Sequence, residues 1–259
     1  MTTRALPGGT DAAVTSTARD RPLVVAAHGT ASEEGQAVVE RCAARAGRLL
    51  GLETPPVVGY VDVCGPTLEE VLADLENPVV VPFFLASGYH VRHDVPSALA
   101  PVRGSTLTPA LGAADEVVDA LVDRVREVDT DESPRTGTAA DTVTDAVLVV
   151  GAGSSVEAAR AEVALVADRV GTRLGVVTAT AFLSGPGPRA ACELTRLRLA
   201  GHTRIVLATH LLSPGYFATK AHRVAAAAGA LATGPLGTHD LLRDLVARRY
   251  REALATDQP

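Results

Sequence analysis

No apolar run in this 259-residue sequence approaches the roughly 18 residues that a membrane-spanning helix requires. There is no C-x-x-C pair either. Cys42, Cys64 and Cys192 are odd in number and far apart, which leaves no disulfide framework, zinc ribbon or iron–sulfur signature. Cys42 and Cys192 fall in helical patterns and are expected to be small core residues. Lysine is nearly missing: Lys220 is the only one, and arginine carries the rest of the positive charge. A formal net charge of −6 argues against bulk binding to nucleic acid or anionic membrane. A phosphate loop is also lacking. Gly151-Ala152-Gly153-Ser154-Ser155 comes nearest, but it has neither the full G-x-G-x-x-G nor a P-loop lysine, so no ATP or other nucleotide is expected. Residues 1–21 have no apolar core of the kind a secretory signal or transit helix contains. They read as a disordered tail, and the expected location is the cytoplasm.

What remains is an ordinary globular composition, 47% hydrophobic and 21% charged, long enough for one large domain or two smaller ones. Short apolar runs bounded by turn residues alternate with helical stripes. Leu23–Ala27 reads as a strand ending at His28-Gly29-Thr30. Ser32 caps a helix that carries Val38, Val39, Cys42, Ala46 and Leu49 to Gly51. Val57–Val61 is a second strand, followed by Asp62-Val63-Cys64-Gly65-Pro66; Thr67 and Glu70 then form a capping box for a helix reaching about Leu75. A third strand, Val79–Leu85, leads into Gly88-Tyr89-His90-Val91-Arg92-His93-Asp94-Val95-Pro96, and Pro96 opens another helix. Thr106–Pro109 is a short strand, and a helix follows over Glu116–Glu127. Residues 128–143 are polar and read as a linker.

Beyond the linker the pattern starts again. Residues 144–256 read as a copy of residues 22–127, four segments matching in the same order. The chain is therefore predicted to be α/β, two similar lobes, each a parallel sheet flanked by helices, with a cleft between them. In such sheets ligands bind at the carboxyl ends of the strands. There the first half carries His28, Asp62 and His90, while the aligned positions of the second carry Ala152, Ser184 and Phe217. Three groups able to bind a metal are replaced together, which core packing or loop decoration does not explain. Two imidazoles and a carboxylate suit a borderline divalent cation such as Fe²⁺, Co²⁺, Ni²⁺ or Zn²⁺. Three protein ligands leave coordination positions open, as a reactive site needs.

Val25-Ala26-Ala27-His28-Gly29-Thr30, Tyr60-Val61-Asp62 with Pro66-Thr67, and Pro82–Leu85 through Gly88–Pro96 resemble the sirohydrochlorin chelatases. These are small, ATP-independent enzymes that insert cobalt, iron or nickel into sirohydrochlorin. The resemblance is strong over residues 22–127 and faint over 145–255, and it implies a fused two-repeat form with one live metal site. It implies metal-binding histidines at His28 and His90 and an acidic ligand at Asp62, where the family usually has glutamate. It further implies a lyase-type ferro- or cobaltochelatase with Fe²⁺ or Co²⁺ as substrate, of siroheme or cobalamin synthesis, acting as monomer or homodimer with no iron–sulfur cluster. His28, in preference to His90, would take up the pyrrole protons. Arg92, Lys220 and Arg223 are the candidates for gripping the substrate's carboxylates, which an acidic protein must meet with local positive charge. His93 and Asp94 could orient His90 or cap a helix, and for Asp94 the cap is the expectation. The competing reading is a non-catalytic metal or tetrapyrrole carrier that uses the same trio to hold its cargo.

Overall fold

The computed structural model describes residues 21–130 and 144–256; the expected tail and most of the expected linker lie outside them. The first half forms β1 (Leu23–Ala27), α1 (Glu33–Leu50), β2 (Val57–Tyr60), α2 (Leu68–Leu72), β3 (Val79–Pro82), α3 (Tyr89–Arg92), α4 (Asp94–Leu99), β4 (Thr106–Leu107) and α5 (Asp115–Thr130). The second forms β5 (Ala146–Gly151), α6 (Glu157–Leu174), β6 (Val177–Phe182), α7 (Ala190–Leu199), β7 (Ile205–His210), α8 (Tyr216–Ala227), β8 (Leu231–Ala232) and α9 (Asp240–Thr256). Helix α5 thus continues through 128–130, which the sequence reading gives to the linker.

Each half builds a parallel four-stranded sheet, ordered β2-β1-β3-β4 and β6-β5-β7-β8. Every residue of β1 and of β5 is buried, because helices cover both faces of a parallel sheet and the central strands must be apolar throughout. The local punctuation follows the sequence. The Ser32 side chain accepts from the Gly35 N–H to start α1, and Gly51 ends it in the left-handed conformation at φ 67°. The Thr67–Glu70 capping box opens α2. That helix stops at Leu72 rather than near Leu75, since Asn77, at φ 49°, and Pro78 turn the chain into β3. Helix α4 starts at Asp94, two residues before Pro96, a first-turn position where the missing N–H is tolerated. Cys42 is buried as expected, but Cys192 lies on the solvent side of α7. A helical pattern alone does not say which face is covered.

The two halves superpose in register. The Asp62 N–H donates to the His28 carbonyl and the Ser184 N–H to the Ala152 carbonyl, while Tyr60 N–H to Pro66 is matched by Phe182 N–H to Pro188. The strand pairings Leu23↔Val79 and Val147↔Val206 carry the same equivalence through β3 and β7. Gly88 therefore matches Gly215, Tyr89 matches Tyr216 and His90 matches Phe217, as the sequence alignment of the halves requires.

The sequence reading assigns the last helix of each half to its own lobe, but these two helices exchange. Helix α9 packs on β3 and α1 of the first sheet, and α5 packs on β7 and α6 of the second. One core cluster consequently contains residues of both halves, including Val25, Val81, Leu242, Leu245 and Val246 as well as Val147, Ala208, Val117 and Leu121. Leu242, Leu245 and Val246 are 0% exposed; at ~1.5–3 kcal/mol for each buried side chain, their burial contributes an upper bound of roughly 5–9 kcal/mol. Arg248 of α9 also meets Glu116 of α5 at 2.7 Å. The two sheets are thereby locked into one body.

His210 closes β7 inside this structure, 4% exposed, with its Nε2 lacking a hydrogen-bond partner. Burial pushes its pKa down to about 4. The folded value lies below the ordinary histidine value, so the unfolded chain binds the extra proton more readily. Stability is then complete above about pH 6.5 and declines as pH falls toward 4. The equivalent residue of the first half is Phe83, 1% exposed, so His210→Phe suits the site sterically. Between pH 7.5 and 5 the native protein is expected to lose about 2 kcal/mol more than His210→Phe in urea unfolding. Equal losses in both proteins would show that His210 is not the source.

Candidate metal centre

His28 directly follows β1, Asp62 lies two residues beyond β2, and His90 is the second residue of α3 after β3. The three arrive at one place: a ligand atom from each lies within 4.8 Å of the others. The His28 and His90 rings stand edge to face, with centroids 4.5 Å apart at 74°. Among the described residues, no other group of three His, Cys, Asp or Glu side chains converges in this way. His28 and Asp62 are exposed and His90 is half-buried, so the cluster opens outward and contributes little to the core.

Local backbone chemistry holds each ligand. Gly29 sits at φ 99°, and a Cβ added there would lie 2.0 Å from the Asp62 carbonyl oxygen. Only glycine lets the β1 and β2 loops approach this closely. The Asp62 carboxylate accepts from the Val63 N–H at 2.7 Å. Val63 itself occupies φ 67°, a conformation that is strained for a β-branched residue. The second half meets the same geometry with Gly185, also at φ 67°. His90 Nδ1 lies 2.5 Å from Asp94 Oδ2. A carboxylate can only accept, so Nδ1 carries the proton and the Nε2 lone pair is left for a ligand.

Of the two roles the sequence allows Asp94, orienting His90 or the favoured helix cap, this last contact supports the first. His93 precedes α4 without a side-chain cap bond, and Asp94 bonds the imidazole four residues earlier. Helices α3 and α4 are separated only by His93, so the i, i+4 spacing His90–Asp94 still places both side chains on one face. That spacing was the signal available in the sequence. His93 stacks on Tyr89, ring centroids 4.6 Å apart.

The three basic candidates are placed differently. Arg92 is exposed, and its Nε donates to the Ser87 carbonyl at 2.7 Å. The Lys220 ammonium donates to the Leu183 carbonyl at 2.7 Å. Lys220 also lines a hollow of about 510 Å³ between α7 and α8 with Ser184, Gly185 and Arg189; of the positions equivalent to the trio Ser184 alone borders it, and Arg189 is a further cation there that the sequence reading missed. Arg223 is exposed on α8, on the same helical stripe as Tyr216 and Lys220. The trio therefore converges, while the basic residues are distributed over both walls. The walls belong to one cleft. The Ser87 N–H donates to Glu162 of α6 at 2.8 Å, and Ser213 Oγ donates to the Gly35 carbonyl of α1 at 3.3 Å. Each half's strand-end loops thus abut the other half.

No helix among the described residues is long and apolar enough to cross a membrane. The chain is similar to a sirohydrochlorin cobaltochelatase of Methanopyrus kandleri, 33% identical over 82 residues, which cover 30% of this chain and 57% of that relative. In fold it is similar to SirB from Bacillus subtilis with Fe³⁺, at a TM-score of 0.73 and 20% identity, covering 92% of this chain and 96% of that one. It is also similar to the sirohydrochlorin chelatase SirB of Bacillus subtilis subspecies spizizenii in complex with cobalt, at a TM-score of 0.70 and 18% identity, covering 92% and 97%. The CbiX family profile matches residues 22–128 and again 146–253, the two halves that superpose in the structure. The chain belongs to the CbiX family.

Proposed function

We propose that this protein inserts a divalent metal, Fe²⁺ or Co²⁺, into sirohydrochlorin without ATP, as a chelatase of siroheme or cobalamin synthesis. The observation that carries this reading is the convergence of His28, Asp62 and His90 within 4.8 Å, opposite a second lobe whose equivalent positions are Ala152, Ser184 and Phe217. One wall delivers the metal while the other, without ligands, leaves room for the flat macrocycle. The relatives named as sirohydrochlorin chelatases support the substrate class.

His28, Asp62 and His90 hold the incoming cation at the mouth of the cleft, and its remaining positions face the ring. Two pyrrole N–H protons leave as the metal enters. His28, which lacks the carboxylate partner that His90 has in Asp94, releases the cation to the ring and takes up one proton on the freed imidazole nitrogen; the second proton passes to water. Orientation and proton acceptance are the protein's share, and the metal's affinity for four ring nitrogens drives the exchange. Arg92, Lys220 and Arg223 offer the substrate carboxylates positive charge on both walls. Because one chain supplies both walls, a monomer in the cytoplasm suffices.

The test is anaerobic absorbance of sirohydrochlorin with Co²⁺ or Fe²⁺ and catalytic protein, against a protein-free blank. A metallated spectrum appearing faster than the blank over many turnovers is the expected result. Stoichiometric binding without turnover would establish the carrier reading instead. No interaction would overturn both.

A further inference from the structure

We propose that Tyr89 and Tyr216 are a matched pair of positioning residues that hold the apolar faces of the macrocycle, one on each wall of the cleft. The inference rests on the chelatase reading and adds how the ring is gripped. Of the four tyrosines, Tyr60 and Tyr250 are 1% and 2% exposed, whereas Tyr89 and Tyr216 are 57% and 74% exposed. Both exposed rings begin a helix directly after a glycine, Gly88 before α3 and Gly215 before α8. The register of the halves makes them equivalent.

Their poses also match. Tyr89 meets the next residue, His90, edge to face at 6.1 Å and 85°, and Tyr216 meets Phe217 edge to face at 5.3 Å and 73°. Each is braced by the residue four positions on: His93 stacks at 4.6 Å on Tyr89, and the Lys220 ammonium lies 5.9 Å from the Tyr216 ring centroid. The loops bearing them abut the opposite half, Ser87 on Glu162 and Ser213 on Gly35, so both tyrosines stand beside the seam between the halves.

Comparison of the halves separates two tasks. At the adjacent position the metal-binding imidazole of His90 has become Phe217, and the other two ligands are gone as well. The tyrosine remains on both sides. A residue kept where metal binding is lost serves something other than the metal, and something both walls share. A flat conjugated ring presents such a need, since it has two faces that stack on aromatic side chains. Braced tyrosines lose little conformational freedom on binding it.

The test titrates metal-free sirohydrochlorin, anaerobically, into native protein, Tyr89→Ala, Tyr216→Ala, the double variant, and Tyr89→Phe and Tyr216→Phe, followed by steady-state Co²⁺ insertion. Each alanine variant is expected to raise Kd and KM for the tetrapyrrole about tenfold, and the double about a hundredfold. In the same variants kcat, Co²⁺ affinity and the thermal midpoint stay near native. The phenylalanine variants recover the affinity that alanine loses. Native KM and Kd in the alanine variants overturn the inference while leaving the chelatase intact. So does a KM increase that comes with loss of Co²⁺ affinity or of the thermal midpoint, or a phenylalanine variant as weak as alanine. Failure of the native protein to bind or metallate sirohydrochlorin overturns the chelatase reading itself, and this inference with it.

Discussion

His28→Ala and His90→Ala should each lower metal insertion about a thousandfold while leaving the protein folded. The ligands stand at strand ends, exposed or half-buried, and take no part in the core clusters, so their removal creates no cavity of the kind that destabilises. Each change leaves two ligands where three converge within 4.8 Å. His28→Ala also removes the nearest proton acceptor. A graded companion is Asp94→Asn: it keeps the imidazole of His90 but replaces the carboxylate 2.5 Å from its Nδ1 with an amide that does not fix the tautomer. Metal affinity should fall by ~10–100-fold. Initial insertion rates at saturating sirohydrochlorin, together with a Co²⁺ titration and a thermal midpoint for each variant, separate these effects. Full activity in either histidine variant would remove the trio from the mechanism. Full affinity in Asp94→Asn would mean that the Asp94 contact does not govern metal binding by His90.

The strands, the caps and the trio were legible in the sequence because each rests on short-range pattern. β1 is an apolar run ending in His28, and Ser32, Gly51 and the Thr67–Glu70 box mark helix ends by hydrogen bonds that span only a few residues. The duplication made the site readable too, since the second half served as an internal comparison for His28, Asp62 and His90. What stayed hidden depends on contacts between distant segments. Periodicity shows that Leu242, Leu245 and Val246 need covering, but not that β3 and α1 of the other half do it. The same blindness put Cys192 in the core. For Asp94 the sequence leaves both roles open, because a helix start beside Pro96 and a contact with His90 are compatible, and only the fold separates them. Sequence alone gives Tyr89 and Tyr216 no role, because their exposure depends on how the helices that begin with them pack.

Gly29→Ala and Gly153→Ala separate the site from its scaffold. The two glycines are equivalent, at φ 99° and φ 121°, and an added Cβ would lie 2.0 Å from the Asp62 carbonyl oxygen in one case and 2.2 Å from that of Ser184 in the other. In both the obstacle is backbone, which cannot swing aside as a side-chain tip can. Positive φ adds strain of its own for alanine, so each variant should lose about 3 kcal/mol of stability in urea unfolding. Their effects on the metal diverge. In Gly29→Ala the β2 loop must retreat, and it carries Asp62, whose N–H is tied to the His28 carbonyl at 3.0 Å. The carboxylate then leaves its place beside the two imidazoles, and Co²⁺ affinity of the folded protein should fall at least about tenfold. In Gly153→Ala the displaced residue is Ser184, in a lobe without metal ligands, and Co²⁺ affinity should remain native. Equal loss of affinity in both variants would mean that the metal centre depends on the global integrity of the exchanged core. Equal retention would mean that Asp62 is dispensable and that the two histidines bind the metal without it.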